Sequence, residues 1–174
     1  MAGYVIHLAV GEEYIRKHPN EINNYEEFIE GVIYPDSVTD KSLTHYGLKS
    51  SQVNLKRFFE DKDINTDFNK GYCIHLITDY LFYNKFLTVF SSNYIYNDYD
   101  ILNKKLERKF KVKIPQKVED KVFYTEGEPR ILNLKDTIKF IEETSANNIN
   151  DIKKAVLNGD KNWLEIRPLK EYKN

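Results

Sequence analysis

The segment from residue 67 to residue 90 constrains the fold more than any other part of this chain. Its apolar side chains recur at spacings that cover most of the circumference of a helix. A helix that is apolar nearly all round lies buried in a core, so the pattern predicts a long, buried central helix over about residues 67–90. Between Gly71 and Asn84 this segment carries a single acidic side chain, Asp79, and His75 lies four residues before it.

Helical periodicity also predicts elements around this central helix. The apolar residues between Tyr25 and Ile33 form one stripe, which Asn24 can cap at its start and Pro35 ends. Similar patterns predict helices over about residues 51–61, 93–111, 134–146 and 149–158. Gly159 is expected to close the last of them, because glycine adopts the left-handed conformation that ends many helices.

The remaining segments show no convincing strand alternation. Residues 37–49 are rich in Ser, Thr, Asp and Gly and are predicted to form a loop, and a turn is expected around Gly127 and Pro129. The length of 174 residues corresponds to one domain at about 150 residues per domain. We therefore predict one compact, all-α, multi-helix domain over residues 1–174.

Charge and cysteine content exclude several classes of protein. The 26 basic and 27 acidic side chains leave a formal net charge of -1, whereas nucleic-acid-binding domains are usually strongly basic, so no stable nucleic-acid binding is expected. One cysteine excludes an internal disulfide framework, and we interpret Cys73 as a core residue. No apolar stretch is long enough for a transmembrane helix. The opening residues lack the basic flank of a secretory signal, which predicts a cytoplasmic location.

Asp79 is the most informative residue, because an ionised carboxylate within a buried helix is costly unless something compensates its charge. His75 lies on the same face of the helix, four residues earlier. One interpretation is a hydrogen-bonded His–Asp pair that satisfies both groups. The other is two ligands of one metal ion, because the i,i+4 spacing directs both side chains toward a single point.

Three further side chains favour the metal interpretation. His7 lies in a largely apolar segment, Asp36 follows Pro35 at a helix end, and His45 lies in the loop of residues 37–49. Taken singly, these residues fit a core histidine, a turn and an ordinary loop. Together with His75 and Asp79 they provide three imidazoles and two carboxylates, a set that suits zinc and also iron or manganese. His18 lies at a polar helix end and is left outside the set.

The order of these residues resembles the zinc-dependent phospholipase C family, whose helical fold is shared with single-strand-specific zinc nucleases. The matching features are a His near the N-terminus, an Asp, a His, and the Gly-Tyr-x-x-His-x-x-x-Asp-Tyr motif of residues 71–80, all within residues 1 to about 90. The resemblance implies an all-α fold and one metal held by four ligands. Those four ligands would be Asp36, His45, His75 and Asp79. It also implies a neighbouring metal reached by His7, with Asp79 able to bridge the two.

The chain departs from the family pattern in two respects. The family site holds three metals, and the third requires histidines downstream of the His-x-x-x-Asp motif, whereas no histidine follows His75. The family also uses the amine of an N-terminal tryptophan, whereas the only tryptophan here is Trp163. These departures predict a reduced site with one or two metal ions, with zinc as the expected metal and iron or manganese as alternatives.

Two functions from different classes follow as hypotheses. The first is a metal-dependent hydrolase of phosphate esters, with Asp79 and His75 as catalytic residues and a small phosphorylated substrate or a phospholipid head group as its partner. The second is a non-catalytic helical binding module, in which the same residues hold a structural metal or form a buried polar network. An HD-type phosphohydrolase ranks below both, because that family requires adjacent His and Asp and the sequence contains no such dipeptide.

Overall fold

The computed structural model describes residues 2–171, and most of them are helical. The α-helices are α1 (Tyr4–Lys17), α2 (Tyr25–Ile33), α3 (Ser42–His45), α4 (Leu55–Asp61), α5 (Asp67–Leu81), α6 (Ile95–Phe110), α7 (Leu134–Ser145) and α8 (Ile149–Leu157). Short 3-10 helices span Tyr34–Asp36, Ser50–Gln52, Gln116–Lys121 and Lys161–Trp163. The prediction of an all-α class is therefore confirmed for the described residues.

Helix α5 is the buried element that the sequence predicts, and every residue from 71 to 80 is buried. The predicted extension to residue 90 is wrong, because the α-helix ends at Leu81 and continues only as one π-helical turn, Phe82–Phe86. The Leu87 N–H donates to the carbonyl of Phe82, five residues earlier. Phe82, Tyr83 and Asn84 of this turn are also buried, so the apolar pattern continues and periodicity alone did not reveal the change of helix type.

Helices α2 and α5 cross at unusually close range through two glycines. A Cβ atom on Gly31 would lie 2.0 Å from the carbonyl oxygen of Phe68, and a Cβ on Gly71 would lie 2.0 Å from that of Phe28. Only glycine fits at both positions. This contact sets the distance between α5 and the C-terminal end of α2, where Asp36 follows in the next 3-10 turn.

Gly71→Ala should lower the free energy of unfolding by about 1–3 kcal/mol, because the added methyl group forces two backbones apart in a packed core. Urea denaturation of the variant and the parent protein measures the difference. Gly11→Ala is the comparison, since its Cβ would meet side chains only, Val32 at 3.3 Å and Phe28 at 3.5 Å. An equal cost for the two substitutions would contradict the role given to the α2–α5 crossing.

Helix α1 is largely buried from Tyr4 to Glu12 and packs against α2, α5, α6 and α7. The sequence indicated only an apolar segment around His7 and did not predict this helix, because a helix buried on most sides lacks a clear polar face.

The bounds of α6, α7 and α8 agree closely with the predictions. The predicted start of α4 near residue 51 is wrong, because Asn54 caps this helix and it begins at Leu55. The predicted loop of residues 37–49 also contains the short helix α3. The Asn24 side chain caps α2 by accepting the Glu27 N–H, and Gly159 follows α8 with a φ of 80°.

Two short strands form the sheet within the described residues. Val89–Phe90 pairs in parallel with Lys170–Glu171, although no strand alternation was visible in the sequence. A two-residue strand is too short to show an alternating pattern. This pairing holds Lys170 and Glu171 beside the segment that follows the π-helical turn.

Within residues 2–171, no helix is both long enough and apolar enough to cross a membrane.

Candidate metal centre

Five side chains that the sequence singled out meet in the core of the described structure. They are His7 from α1, Asp36 from the 3-10 turn after α2, His45 from the end of α3, and His75 and Asp79 from α5. The relative exposure of each of these side chains is at most 1%. Residues distant in the sequence therefore form one buried group with two carboxylates.

Four of these residues form a group that can hold a metal ion: Asp36, His45, His75 and Asp79. Asp36 Oδ1 lies 3.6 Å from His45 Nε2 and 3.5 Å from His75 Nε2. Asp79 Oδ2 lies 3.1 Å and 3.2 Å from the same two nitrogens. Tetrahedral zinc with bonds near 2.0 Å requires ligand atoms about 3.3 Å apart, so these separations fit one ion held by two nitrogens and two oxygens.

Hydrogen-bonding contacts of the Nδ1 atoms of His75 and His45 hold the two rings in their orientation toward the centre. His75 Nδ1 donates to the carbonyl of Val32 at 2.7 Å, and His45 Nδ1 lies 3.1 Å from the carbonyl of Lys41. A carbonyl accepts only, so His75 Nδ1 carries a hydrogen and His75 Nε2 is the nitrogen that faces the two carboxylates. This arrangement is typical of metal-ligating histidines.

Several polar atoms of the centre have no hydrogen-bond partner among the described residues. They are both carboxylate oxygens of Asp36, Nε2 of His75 and both ring nitrogens of His7. Buried polar atoms are almost always satisfied, and each exception requires an explanation. A cation bound between Asp36 Oδ1 and His75 Nε2, which lie 3.5 Å apart, would satisfy both of these atoms.

The two carboxylates also face His7 with their second oxygens. Asp79 Oδ1 lies 3.0 Å from His7 Nε2 and accepts the backbone N–H of Ala2 at 3.1 Å. Asp36 Oδ2 lies 3.9 Å from the same His7 nitrogen. Asp79 therefore has one oxygen on each side, which is the position that a bridging ligand requires.

Helix α3, which carries His45, is held in place by two hydrogen bonds to neighbouring elements. The Tyr72 hydroxyl on α5 donates to the carbonyl of Thr44 at 2.6 Å, and the Thr44 hydroxyl donates to the carbonyl of Pro35 at 2.8 Å. These bonds fix His45 relative to Asp36, its neighbour in the centre. Sequence reasoning missed Thr44 and Tyr72, because their partners lie far away along the chain and leave no local pattern.

The electrostatic environment of the centre shifts the pKa values of His75 and His7 in opposite directions. Burial alone would lower the pKa of His75, but the charges of Asp36 and Asp79 outweigh burial and raise this pKa to about 9. Burial, reinforced by His75, lowers the pKa of His7. Burial also opposes ionisation of the two carboxylates, yet the facing imidazoles hold the pKa of Asp36 and that of Asp79 below their usual range.

Zinc affinity should rise with pH, because the metal must displace the proton held by His75. The pKa of His75 is about 9 without metal, so zinc binding releases this proton at neutral pH. The association constant is then expected to rise about tenfold per pH unit up to about pH 9 and to level off above it. Competition with a chromogenic chelator of known pH dependence, between pH 6 and pH 8, measures the slope. A pH-independent affinity would contradict a proton on His75.

Two cavities reach the neighbourhood of the centre. The first has a volume of about 530 Å³ and is lined by Asp36 together with Tyr4, Tyr96 and Tyr99. The second has a volume of about 800 Å³ and is lined in part by Lys41, whose Nζ lies 3.7 Å from Asp36 Oδ1. The centre is thus buried but adjacent to two spaces large enough for a small molecule.

His18 and Cys73, which were not assigned to the metal site, lie outside the centre. The Nε2 atom of His18 lies 2.9 Å from the carbonyl of Ser145, and its ring stacks on Tyr14. Cys73 is fully buried, and burial raises the pKa of its thiol well above the usual range. The interpretation of Cys73 as a core residue is therefore confirmed.

Comparison of the chain with protein-family models, with curated proteins and with solved structures found no match. The resemblance to zinc-dependent phospholipases C remains a prediction from the sequence motifs. Any function must accordingly be inferred from the geometry of the metal centre and the cavities beside it.

Proposed function

We propose that this chain is a metal-dependent hydrolase of phosphate esters. The observation that carries the proposal is the convergence of three imidazoles and two carboxylates at distances that fit metal coordination, beside a cavity lined by Asp36. When bound, a divalent ion makes a water molecule acidic enough to ionise near neutral pH and opposes the charge that builds up on the phosphoryl oxygens. Zinc suits this mixed nitrogen and oxygen set, and iron or manganese are the alternatives.

The residues of the chain have distinct roles in this proposal. Asp36, His45, His75 and Asp79 would hold the first ion, and His7 would be the imidazole available to a second. His7 is neutral at pH 7 because its pKa is lowered, and a metal-ligating imidazole must be neutral. The Oδ1 of Asp79 lies 3.0 Å from His7 Nε2, so this carboxylate is placed to orient the attacking water.

The organic portion of the substrate is expected to lie in the cavity that Asp36 lines. Tyr4, Tyr96 and Tyr99 form part of its wall, and they provide flat apolar surfaces for the organic portion of an ester. The Tyr4 hydroxyl also donates to the Asp36 carbonyl at 3.1 Å, so the wall and the metal ligand are fixed to each other. A small phosphorylated substrate or a phospholipid head group fits this space.

Steady-state turnover of bis(p-nitrophenyl) phosphate and p-nitrophenyl phosphate by the zinc-loaded chain tests the proposal. We expect turnover by the parent protein and none above background for His75→Ala, because this substitution removes a metal ligand. His18→Ala is the matched control, since His18 lies outside the centre. Equal rates for the parent protein and His75→Ala would contradict a hydrolase that acts through this centre.

A structural metal site in a binding module is the second candidate, and the burial of all five side chains favours it. A structural site is closed by protein ligands, whereas a catalytic site keeps a position for water or substrate. Cobalt(II) substitution distinguishes the two. Addition of inorganic phosphate should change the visible absorption of cobalt at an open site and leave it unchanged at a closed one.

A further inference from the structure

The larger of the two cavities beside the centre carries a marked excess of positive charge. We call it the basic cavity, and its charged lining residues are Lys41, Lys49, Arg167 and Asp40. Three cations and one carboxylate therefore line a space of about 800 Å³, in a chain whose formal net charge is only -1. The hydroxyl-bearing residues Ser50 and Ser51 add possible hydrogen-bond donors to the same wall.

The basic cavity adjoins the metal centre through Lys41. Its ammonium donates to the Asp36 carbonyl at 3.0 Å and lies 3.7 Å from Asp36 Oδ1. Tyr96 lines the basic cavity and also the cavity that Asp36 lines. A ligand that spans this boundary can therefore have one group near the metal ligands and another among the cations.

Arg167 and Lys49, two of the cations that line the basic cavity, differ in their contacts with the rest of the protein. The Arg167 guanidinium donates to the backbone carbonyls of Tyr83 and Leu87, which fixes its position without neutralising its charge. Lys49 is exposed, and within residues 2–171 it forms no ion pair. Its charge is thus available to a ligand.

The neighbouring cavity has the opposite balance of charge. Besides Asp36, its charged lining residues are Asp100, Asp120 and Lys121. A ligand with a second anionic group is repelled on that side and attracted by the basic cavity. The opposite charges of the two cavities favour one orientation of a bound substrate, with its second anionic group in the basic cavity.

We propose that the basic cavity binds a second phosphate group of the substrate, one that is not cleaved. This proposal rests on the proposed function, because it assigns a class of substrate to the same centre: compounds with two phosphate groups. Lys49 and Arg167 are the residues that recognise the second group. Arg167 supplies a fixed positive charge and the donors that its bonds to Tyr83 and Leu87 leave free, and Lys49 supplies a mobile point charge.

Binding of inorganic pyrophosphate to the purified full chain, measured by calorimetry at low ionic strength, tests the proposal without requiring turnover. Lys49→Ala should raise the dissociation constant for pyrophosphate about tenfold, because the substitution removes one charge-assisted contact. Lys56→Ala is the matched control, because Lys56 is an exposed lysine of α4 outside the basic cavity. Equal dissociation constants for the two variants, or no pyrophosphate binding by the parent chain, would overturn the proposal.

Turnover provides a second measurement that separates this proposal from the proposed function. In the zinc-loaded chain, Lys49→Ala should lower kcat/KM for an ester with two phosphates about tenfold, mainly through KM, and leave kcat/KM for p-nitrophenyl phosphate unchanged. An equal loss for both esters overturns the second-phosphate site but leaves the hydrolase intact. Pyrophosphate binding that depends on Lys49, without turnover of any ester, supports the anion site and contradicts the hydrolase.

Discussion

Zinc at a thousandfold excess over its dissociation constant should raise the free energy of unfolding by about 4 kcal/mol, because a ligand that binds only the folded chain stabilises it by mass action. The four ligands of the centre come from α3, α5 and the turn after α2, so unfolding destroys the site. For a chain of this length the gain corresponds to a rise in Tm of about 8–16 °C. Thermal denaturation with and without zinc measures it.

Two variants establish where zinc acts in that experiment. Asp79→Asn keeps the size of the side chain and removes the carboxylate that faces three imidazoles, so zinc should give it little or no stabilisation. His18→Ala removes the histidine that lies outside the centre and should keep the full gain. A rise in Tm of the same size for Asp79→Asn and the parent chain would place the zinc elsewhere.

Asp79→Ala should destabilise the metal-free protein by about 3–5 kcal/mol, the usual cost of removing one partner from a buried charged pair. Asp79 faces His7, His45 and His75 and accepts the N–H of Ala2. Its loss leaves a protonated His75 next to Asp36 alone, in a place from which water is excluded. Urea denaturation in metal-free buffer at pH 7 measures this change.

The control for this substitution is Glu126→Ala, which removes an exposed acidic side chain from a loop. Surface changes of this kind usually alter the free energy of unfolding by less than about 0.5 kcal/mol. A loss below about 1 kcal/mol for Asp79→Ala would mean that the carboxylate is not the charged partner of the three imidazoles. The same result would remove the reason for the raised pKa of His75.

The sequence predicted the parts of the fold that depend on local patterns. The burial of α5, the bounds of α2 and the cap at Asn24 follow from apolar spacing and from hydrogen bonds between near neighbours. The end of the central helix did not follow, because Phe82 and Tyr83 continue the buried apolar pattern into the π-helical turn. The close crossing at Gly31 and Gly71 depends on two helices that meet only in the folded chain.

The candidate site shows the same division. The sequence supplied the five residues of the centre, because a carboxylate or imidazole within an apolar segment is conspicuous. It did not supply the hydrogen bond from His75 to the Val32 carbonyl, because that contact joins positions 43 residues apart. It also gave no sign of the basic cavity, whose cations Lys41, Lys49 and Arg167 come from distant parts of the chain.

Metal content is the most direct test that Asp36, His45, His75 and Asp79 hold a metal ion. The full chain is incubated with zinc, dialysed and analysed by mass spectrometry of its metals, beside a His75→Ala, Asp79→Ala double variant and a His18→Ala control. We expect about one or two equivalents of zinc in the parent chain and in the control, and almost none in the double variant. Equal zinc in the double variant and the parent chain, or none in either, would contradict a metal centre at these residues.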